Sequence, residues 1–137
     1  MNKEFIPYEQ ALELKELGFN EECLAYWTKG INVYYIEFDH YANNHWMFTA
    51  NDNKDRYKMC TAPLYQQVFR WFREKHNLKS CVMFRTSMAD NEEYYDSLIK
   101  GQEVVYRHFK TYEEAELACL KKLIEIAKNN LTKTNNT

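Results

Sequence analysis

The chain has 137 residues, a net charge of −2, 28% charged and 45% hydrophobic residues, which is typical of a globular protein. A chain of this length buries about two-thirds of its unfolded surface, so it needs no disulfide or metal to fold. No apolar run approaches the ~18 residues of a membrane span. The N-terminus also lacks the apolar core of a signal peptide, so we expect a cytoplasmic protein without a membrane partner.

The first half of the chain predicts one helix followed by strands. Pro7 suits a first helical turn and Gly18 a left-handed helix end. Short apolar or alternating segments then predict four strands. They cover residues 23–27, 33–40, 45–50 and 56–60.

The second half begins with a helix over residues 63–77, with Thr61 as its N-cap. A strand at 81–85 and a hairpin ending at Phe109 follow. Thr111 and Glu114 have the spacing of a capping box, which predicts a third helix. The polar residues 129–137 predict a disordered tail.

This order, α-β4-α-β3-α, predicts the α+β class. Short turns between strands favour an antiparallel or mixed sheet of about six to seven strands, with three helices packed on it. We expect a single domain over residues 1–128, followed by the tail.

Charge is distributed unevenly, because residues 54–85 carry a net +6 and the remainder carries −8. The basic segment either binds an anionic ligand or attracts the acidic part of the chain. Within it, Gln66, Arg70 and Arg73 lie on the polar side of the second helix, opposite its aromatic residues. Two arginines and an amide at this spacing can hold a phosphate or carboxylate.

The high aromatic content, 16%, suggests further ligand contacts and subunit interfaces. Strand aromatics can stack on bases, and basic residues beside them can bind phosphate. We therefore add Arg56, Lys58, Trp46, Tyr94 and Tyr95 to the candidate ligand-binding residues. General nucleic-acid binding is not expected of an acidic chain. The chain has more aromatic residues than the core of one subunit is expected to bury, so we predict a homo-oligomer.

Patterns for catalysis or metal binding are sparse. Cys23, Cys60, Cys81 and Cys119 lack the paired spacing of a zinc site, so we expect reduced, buried thiols and no cofactor. His40 and His45 bracket a turn but need a distant third metal ligand. A Cys81 nucleophile would need His108 beside it. The acidic segment 89–96 is interpreted as a solvated loop rather than a nuclease metal site.

Three segments, PYEQALELKELGF, PLYQQVFRWFREKHNL and TYEEAELACLKKLIEIAKNN, resemble small uncharacterised proteins common in bacteroidete bacteria and their phages. The resemblance covers the three helices, about a third of the chain, and carries no catalytic residue. It implies a cytoplasmic accessory protein of phage type. Because small phage proteins of this kind often counter host defence, the resemblance implies either sequestration of a nucleotide signal or blocking of a host protein.

These observations predict a non-enzymatic binding protein that holds a small anionic or nucleotide-like ligand. An inhibitor of a host protein, acting through a protein–protein interface, is the first alternative. A small hydrolase or nuclease is the second.

Overall fold

The structure, a computed structural model, describes residues 2–29, 34–37, 58–102 and 106–136. The described helices are α1 (Tyr8–Glu16), α2 (Tyr65–Lys75) and α3 (Tyr112–Asn135), preceded by a 3₁₀ turn at Asn2–Glu4. The described strands are β1 (Tyr26–Lys29), β2 (Tyr34–Glu37), β3 (Lys58–Thr61), β4 (Ser80–Thr86), β5 (Glu93–Ile99) and β6 (Tyr106–Phe109). The predicted α+β class is confirmed.

The prediction of one sheet of six to seven strands is wrong. The described strands form two three-stranded antiparallel sheets, with orders β2-β1-β3 and β4-β5-β6. Hydrophobic alternation indicates that a strand exists and which face it buries, but it does not specify the strand's neighbour. Here β3 pairs back onto β1, whereas β4, β5 and β6 follow one another as a meander.

Backbone contacts divide the chain into two compact units, residues 1–68 and 69–137. The division falls inside α2, which continues across it as one helix. The prediction of a single domain over 1–128 therefore stays a prediction.

In the first unit, α1 ends in the hydrogen-bond pattern expected from its glycine. Gly18 has a φ of +92°, and its N–H donates to the carbonyl of Lys15, 3.1 Å away. The N–H of Phe19 donates to the carbonyl of Leu14, and the Phe19 ring is buried. These two hydrogen bonds together form a Schellman motif, which satisfies carbonyl groups that the end of a helix leaves without partners.

The first sheet packs on a small core of Phe5, Ala25 and Ala62, against which Trp27, Ile36 and Leu64 are partly buried. Two sequence predictions are wrong here. The strand predicted at 23–27 lies instead at Tyr26–Lys29, and Thr61 is a residue of β3 rather than the N-cap of α2. Both follow from β1–β3 pairing, which places Tyr26 opposite Thr61. The strand predicted at 45–50 lies outside the described residues.

In the second unit, one face of the β4-β5-β6 sheet is covered by α3. The hydroxyl of the buried Ser97 on β5 donates to the carbonyl of Ala115 on α3. The ring of Tyr95 meets that of Tyr112 edge to face, with centroids 5.8 Å apart. The buried residues of α3 form one stripe: Ala115, Glu116, Cys119, Leu120, Leu123, Ile124 and Ala127.

The predicted capping box of α3 is confirmed. The N–H of Glu114 donates to the Thr111 hydroxyl at 3.2 Å, and the N–H of Thr111 donates to the Glu114 carboxylate at 3.3 Å. Contrary to the prediction of a disordered tail, the helix continues to Asn135. The hydroxyls of Thr132 and Thr134 donate to carbonyls one turn earlier, each at 3.0 Å. Side chains 129–136 are all exposed, so this last segment buries little surface.

Burial of the cysteines follows the prediction at three positions and differs at the fourth. Cys23, Cys60 and Cys119 are buried free thiols, whereas Cys81 on β4 is exposed. Cys81 lies on the sheet face opposite α3, because alternate residues of a strand point to opposite faces.

Deleting residues 130–137 should change the melting temperature by no more than about 2 °C, because the removed turns bury little apolar surface. Differential scanning calorimetry of the full and shortened chains measures this. A loss of several degrees would show that the end of α3 is packed against the rest of the protein.

Candidate functional site

The arginine stripe predicted on α2 exists. Tyr65, Val68, Trp71 and Phe72 are buried, while Gln66, Arg70 and Arg73 are exposed. The helix therefore separates its aromatic and basic residues as the 100° spacing predicts. Gln66, Arg70 and Arg73 do not line either of two open clefts of the structure, one beside β6 and α3 and one between β4 and β5.

The remaining predicted ligand-binding residues are only partly described. Arg56 and Trp46 lie outside the described residues, and of Lys58 only the backbone position in β3 is described. Tyr94 and Tyr95 are neighbours on β5 and point to opposite faces of the sheet. Tyr95 packs near Phe84 and Tyr112 on the α3 side, so these two tyrosines do not line one site.

Asp96 is a buried polar residue on the face of this sheet opposite α3. Its side chain is 6% exposed, and its Oδ2 forms an ion pair with Arg85 Nε on β4, 3.0 Å away. Its Oδ1 accepts a bond from the backbone N–H of His108 on β6 at 3.1 Å. One buried carboxylate thus connects all three strands, with both of its oxygens bonded. A buried charge needs such partners, because desolvation without them costs several kcal/mol, as a rough value.

The hydrogen bond from the His108 N–H to Asp96 also positions His108. Its ring is stacked on that of Tyr94, with centroids 4.2 Å apart and planes 17° apart. Its φ of +69° is uncommon for a residue with a side chain. The bond to Asp96 is one interaction that holds this backbone in place. Strained backbone of this kind concentrates at functional sites, because the surrounding structure must maintain it.

An open cleft of about 440 Å³ lies between the end of β6 and the first turns of α3. We call it the β6–α3 cleft. Its lining contains three basic residues, one acidic residue and three apolar ones: His108, Lys110, Lys121, Glu114, Phe109, Leu117 and Ala118. The Glu114 carboxylate already accepts the N–H of Thr111 in the capping box. The cleft is therefore basic, with its acidic group bonded to the backbone.

A second open cleft, of about 310 Å³, lies where β4 begins and β5 ends. Its lining combines two lysines with polar and apolar residues: Lys79, Lys100, Ser80, Cys81, Leu98 and Ile99. The backbone N–H of Lys100 donates to the carbonyl of Lys79 at 2.8 Å, which fixes the two lysines at opposite positions of the ladder. This cleft is smaller than the β6–α3 cleft and has one basic residue fewer.

The arrangements considered for catalysis are not assembled in the described residues. Burial raises the pKa of Cys23 and Cys60 to about 12 and that of Cys119 to about 11, so these thiols are protonated at neutral pH. Strand β5 lies between Cys81 on β4 and His108 on β6. Two strand spacings, about 10 Å, separate such positions, so the imidazole that a Cys81 nucleophile would need is not beside this thiol.

Among residues 2–29, 34–37, 58–102 and 106–136, no three His, Cys, Asp or Glu side chains are grouped to hold a metal ion. His40 and His45 lie outside those residues. In the same part of the chain, no helix has both the length and the apolar character needed to cross a membrane.

Sequence reasoning missed the residues of the β6–α3 cleft. Lys110 precedes α3, and Lys121 lies about three turns into it, so only the docking of β6 beside the helix brings them together. The sequence feature that could have indicated the helix side of this cleft is the spacing of Glu114, Leu117, Ala118 and Lys121. They recur at three and four residues and so share one helix face.

Comparisons with known proteins leave the resemblance to bacteroidete and phage proteins as a prediction. No protein-family model, no curated protein and no solved structure matches the chain.

Two different replacements of Asp96 should lower the free energy of unfolding by different amounts. Asp96→Ala removes the acceptor of both Arg85 and His108 and should cost about 2–3 kcal/mol in the free energy of unfolding. Asp96→Asn keeps an acceptor for the His108 N–H and loses only the charge, so it should cost less. Urea denaturation of both variants measures the difference. Equal stability of wild type and Asp96→Ala would contradict the role given to this carboxylate.

Proposed function

We propose that this protein binds a small anionic, nucleotide-like ligand without changing it chemically, and that the β6–α3 cleft holds this ligand. The observation that carries the proposal is the convergence of His108, Lys110 and Lys121 on one cleft. The resemblance to small phage and bacteroidete proteins supports sequestration of a nucleotide signal as the biological role.

The charges of the cleft suit a phosphate or carboxylate. Lysine ammonium groups bind phosphate as point charges with three donors each. The acidic residue of the cleft, Glu114, is bonded to the backbone N–H of Thr111. Its charge is therefore directed to the helix start, where it also interacts favourably with the helix dipole.

The size and apolar lining of the cleft suit a ligand with an uncharged part. Small-molecule sites span roughly 300–1,000 Å³ and combine apolar walls with a few polar groups. The β6–α3 cleft, at about 440 Å³, lies in the lower part of that range. Phe109 and Leu117 provide apolar contact for a base or sugar, while Lys110 and Lys121 provide contact for an anionic group.

A second candidate function is binding to a protein partner. It is favoured by exposed apolar side chains on and beside β4: Met83, Phe84 and Met88 are 39%, 53% and 101% exposed. Large exposed apolar side chains near one strand are typical of a protein interaction surface. Ligand screening separates the two functions, because only the first requires a small anion to bind the isolated protein.

The double variant Lys110→Ala with Lys121→Ala should weaken binding of the ligand at least about tenfold, since each charge-assisted hydrogen bond contributes about 1.5–3 kcal/mol. A thermal-shift screen with inorganic phosphate, mononucleotides and cyclic nucleotides first selects the ligand. Isothermal titration calorimetry then measures affinity in low and high salt. Affinity should fall as salt rises, because salt screens the exposed lysines.

Two matched controls remove the same charge elsewhere. Lys79→Ala with Lys100→Ala alters the second cleft, and Arg70→Ala with Arg73→Ala alters the predicted stripe on α2. Both should leave affinity within about twofold of wild type, because long-range effects between exposed charges are screened. Loss of binding in the arginine variant alone would move the site to α2. If no anion in the panel stabilises the wild type, the ligand-binding function is wrong.

A further inference from the structure

Strand β4 is an edge strand in the described part of the chain. It has seven residues and pairs with β5 along its whole length, without a bulge. Its other side has no neighbouring strand in the described sheet, whose order is β4-β5-β6. An open edge of this length presents a row of backbone donors and acceptors on which another strand can pair.

The register shows which backbone groups face the open side. The N–H of Ser87 donates to the carbonyl of Glu92, and the N–H of Lys100 donates to that of Lys79, so these opposite pairs are hydrogen-bonded. Antiparallel pairs alternate between bonded and non-bonded. Cys81, Met83 and Arg85 therefore bond to β5. The N–H and C=O groups of Ser80, Val82, Phe84 and Thr86 point outward.

Devices that normally block an open edge are few on β4. The strand contains no proline, and its register with β5 is continuous. Its one charged side chain, Arg85, is bonded to Asp96 on the neighbouring strand. Met83 and Phe84, one on each face of the sheet, are 39% and 53% exposed at the middle of the edge. Edges of this kind favour association with another strand.

We propose that β4 pairs with β4 of a second copy of this chain, antiparallel and about a two-fold axis at Met83. This register places Met83 opposite Met83 of the second copy and Val82 opposite Phe84. It also places Ser80 opposite Thr86, so all seven residues of the strand are paired. Two three-stranded sheets then become one continuous sheet across the dimer.

The chemistry of this register is self-complementary, as a two-fold interface requires. Arg85 lies opposite Cys81, and Lys79 lies opposite Ser87, so no like charges face each other. A shift of two residues toward the start of the strand would set Lys79 against Arg85, which is unfavourable. A shift in the other direction leaves the ends of both strands unpaired. The register centred on Met83 therefore combines full pairing with the absence of repulsion.

The two methionines meet at close range in this register. The backbone groups of Met83 are directed to β5, so Met83 forms a non-bonded pair with its copy, for which the Cα atoms lie about 4.5 Å apart. A charge introduced at this position would face the same charge in the second copy. Position 83 therefore tests the register, provided that each variant keeps the β4–β5 pairing that sets this residue opposite Asp96.

Sedimentation velocity of the full chain without ligand, from about 1 to 500 μM, spans the affinity expected of a small interface. We expect a species of twice the 16.6 kDa monomer mass at the upper concentrations. Met83→Lys should be monomeric throughout. Met88→Lys, the matched control, should dimerise like wild type, because Met88 lies beyond the strand and is fully exposed.

Mixing Met83→Lys with Met83→Glu should restore the dimer, since the two-fold axis sets the opposite charges against each other. Circular dichroism confirms that each variant is folded. The proposal is overturned if the wild type remains monomeric at every concentration. It is also overturned if Met83→Lys dimerises as well as Met88→Lys does, or if the mixture stays monomeric. Because no ligand is present, these outcomes are independent of anion binding.

Discussion

The buried carboxylate of Asp96 is the interaction on which the arrangement of the second unit depends. It bonds Arg85 of β4 and the backbone of His108 of β6 from the strand between them. Strand β6 has four residues, and its register with β5 shifts between Tyr95 and Ser97. The Asp96 side chain accepts the His108 N–H at this shift, where the regular ladder is interrupted.

Two consecutive residues of β5 stabilise the two faces of the sheet. Asp96 connects the strands on the face opposite α3, and Ser97 bonds α3 on the other face. The two proposed binding surfaces lie at the edges of this sheet. The β6 edge contributes Lys110 and His108 to the proposed ligand cleft, and the β4 edge is the proposed surface for a second copy. Dimerisation at β4 would leave the β6–α3 cleft open, since β5 separates the two edges.

The local features of the fold could be predicted from the sequence because each depends on neighbouring residues. The capping box of Thr111 and Glu114, the left-handed Gly18 and the apolar face of α2 are all of this kind. The pairing of β1 with β3 could not be predicted, because it joins segments about 30–35 residues apart and alternation does not encode partners. The assignment of Thr61 failed for the same reason.

The candidate site was harder to predict than the fold. Arg70 and Arg73 were selected because they are close in sequence, whereas Lys110 and Lys121 converge only after β6 docks beside α3. Asp96 was interpreted as part of a solvated acidic loop, yet its side chain is 6% exposed. Its partners come from two other strands, so its burial depends on contacts that no local pattern shows.

The cleft beside β6, the strand that Asp96 bonds, is the proposed site of an anion. The most direct measurement is a titration of the ¹⁵N-labelled chain with inorganic phosphate and a mononucleotide, followed by NMR shifts of assigned amides. Saturable shifts should concentrate at His108, Lys110 and the residues of α3 near Lys121, with little change at Arg70 and Arg73. Saturable shifts centred on α2, or the absence of saturable shifts with either compound, would contradict the account.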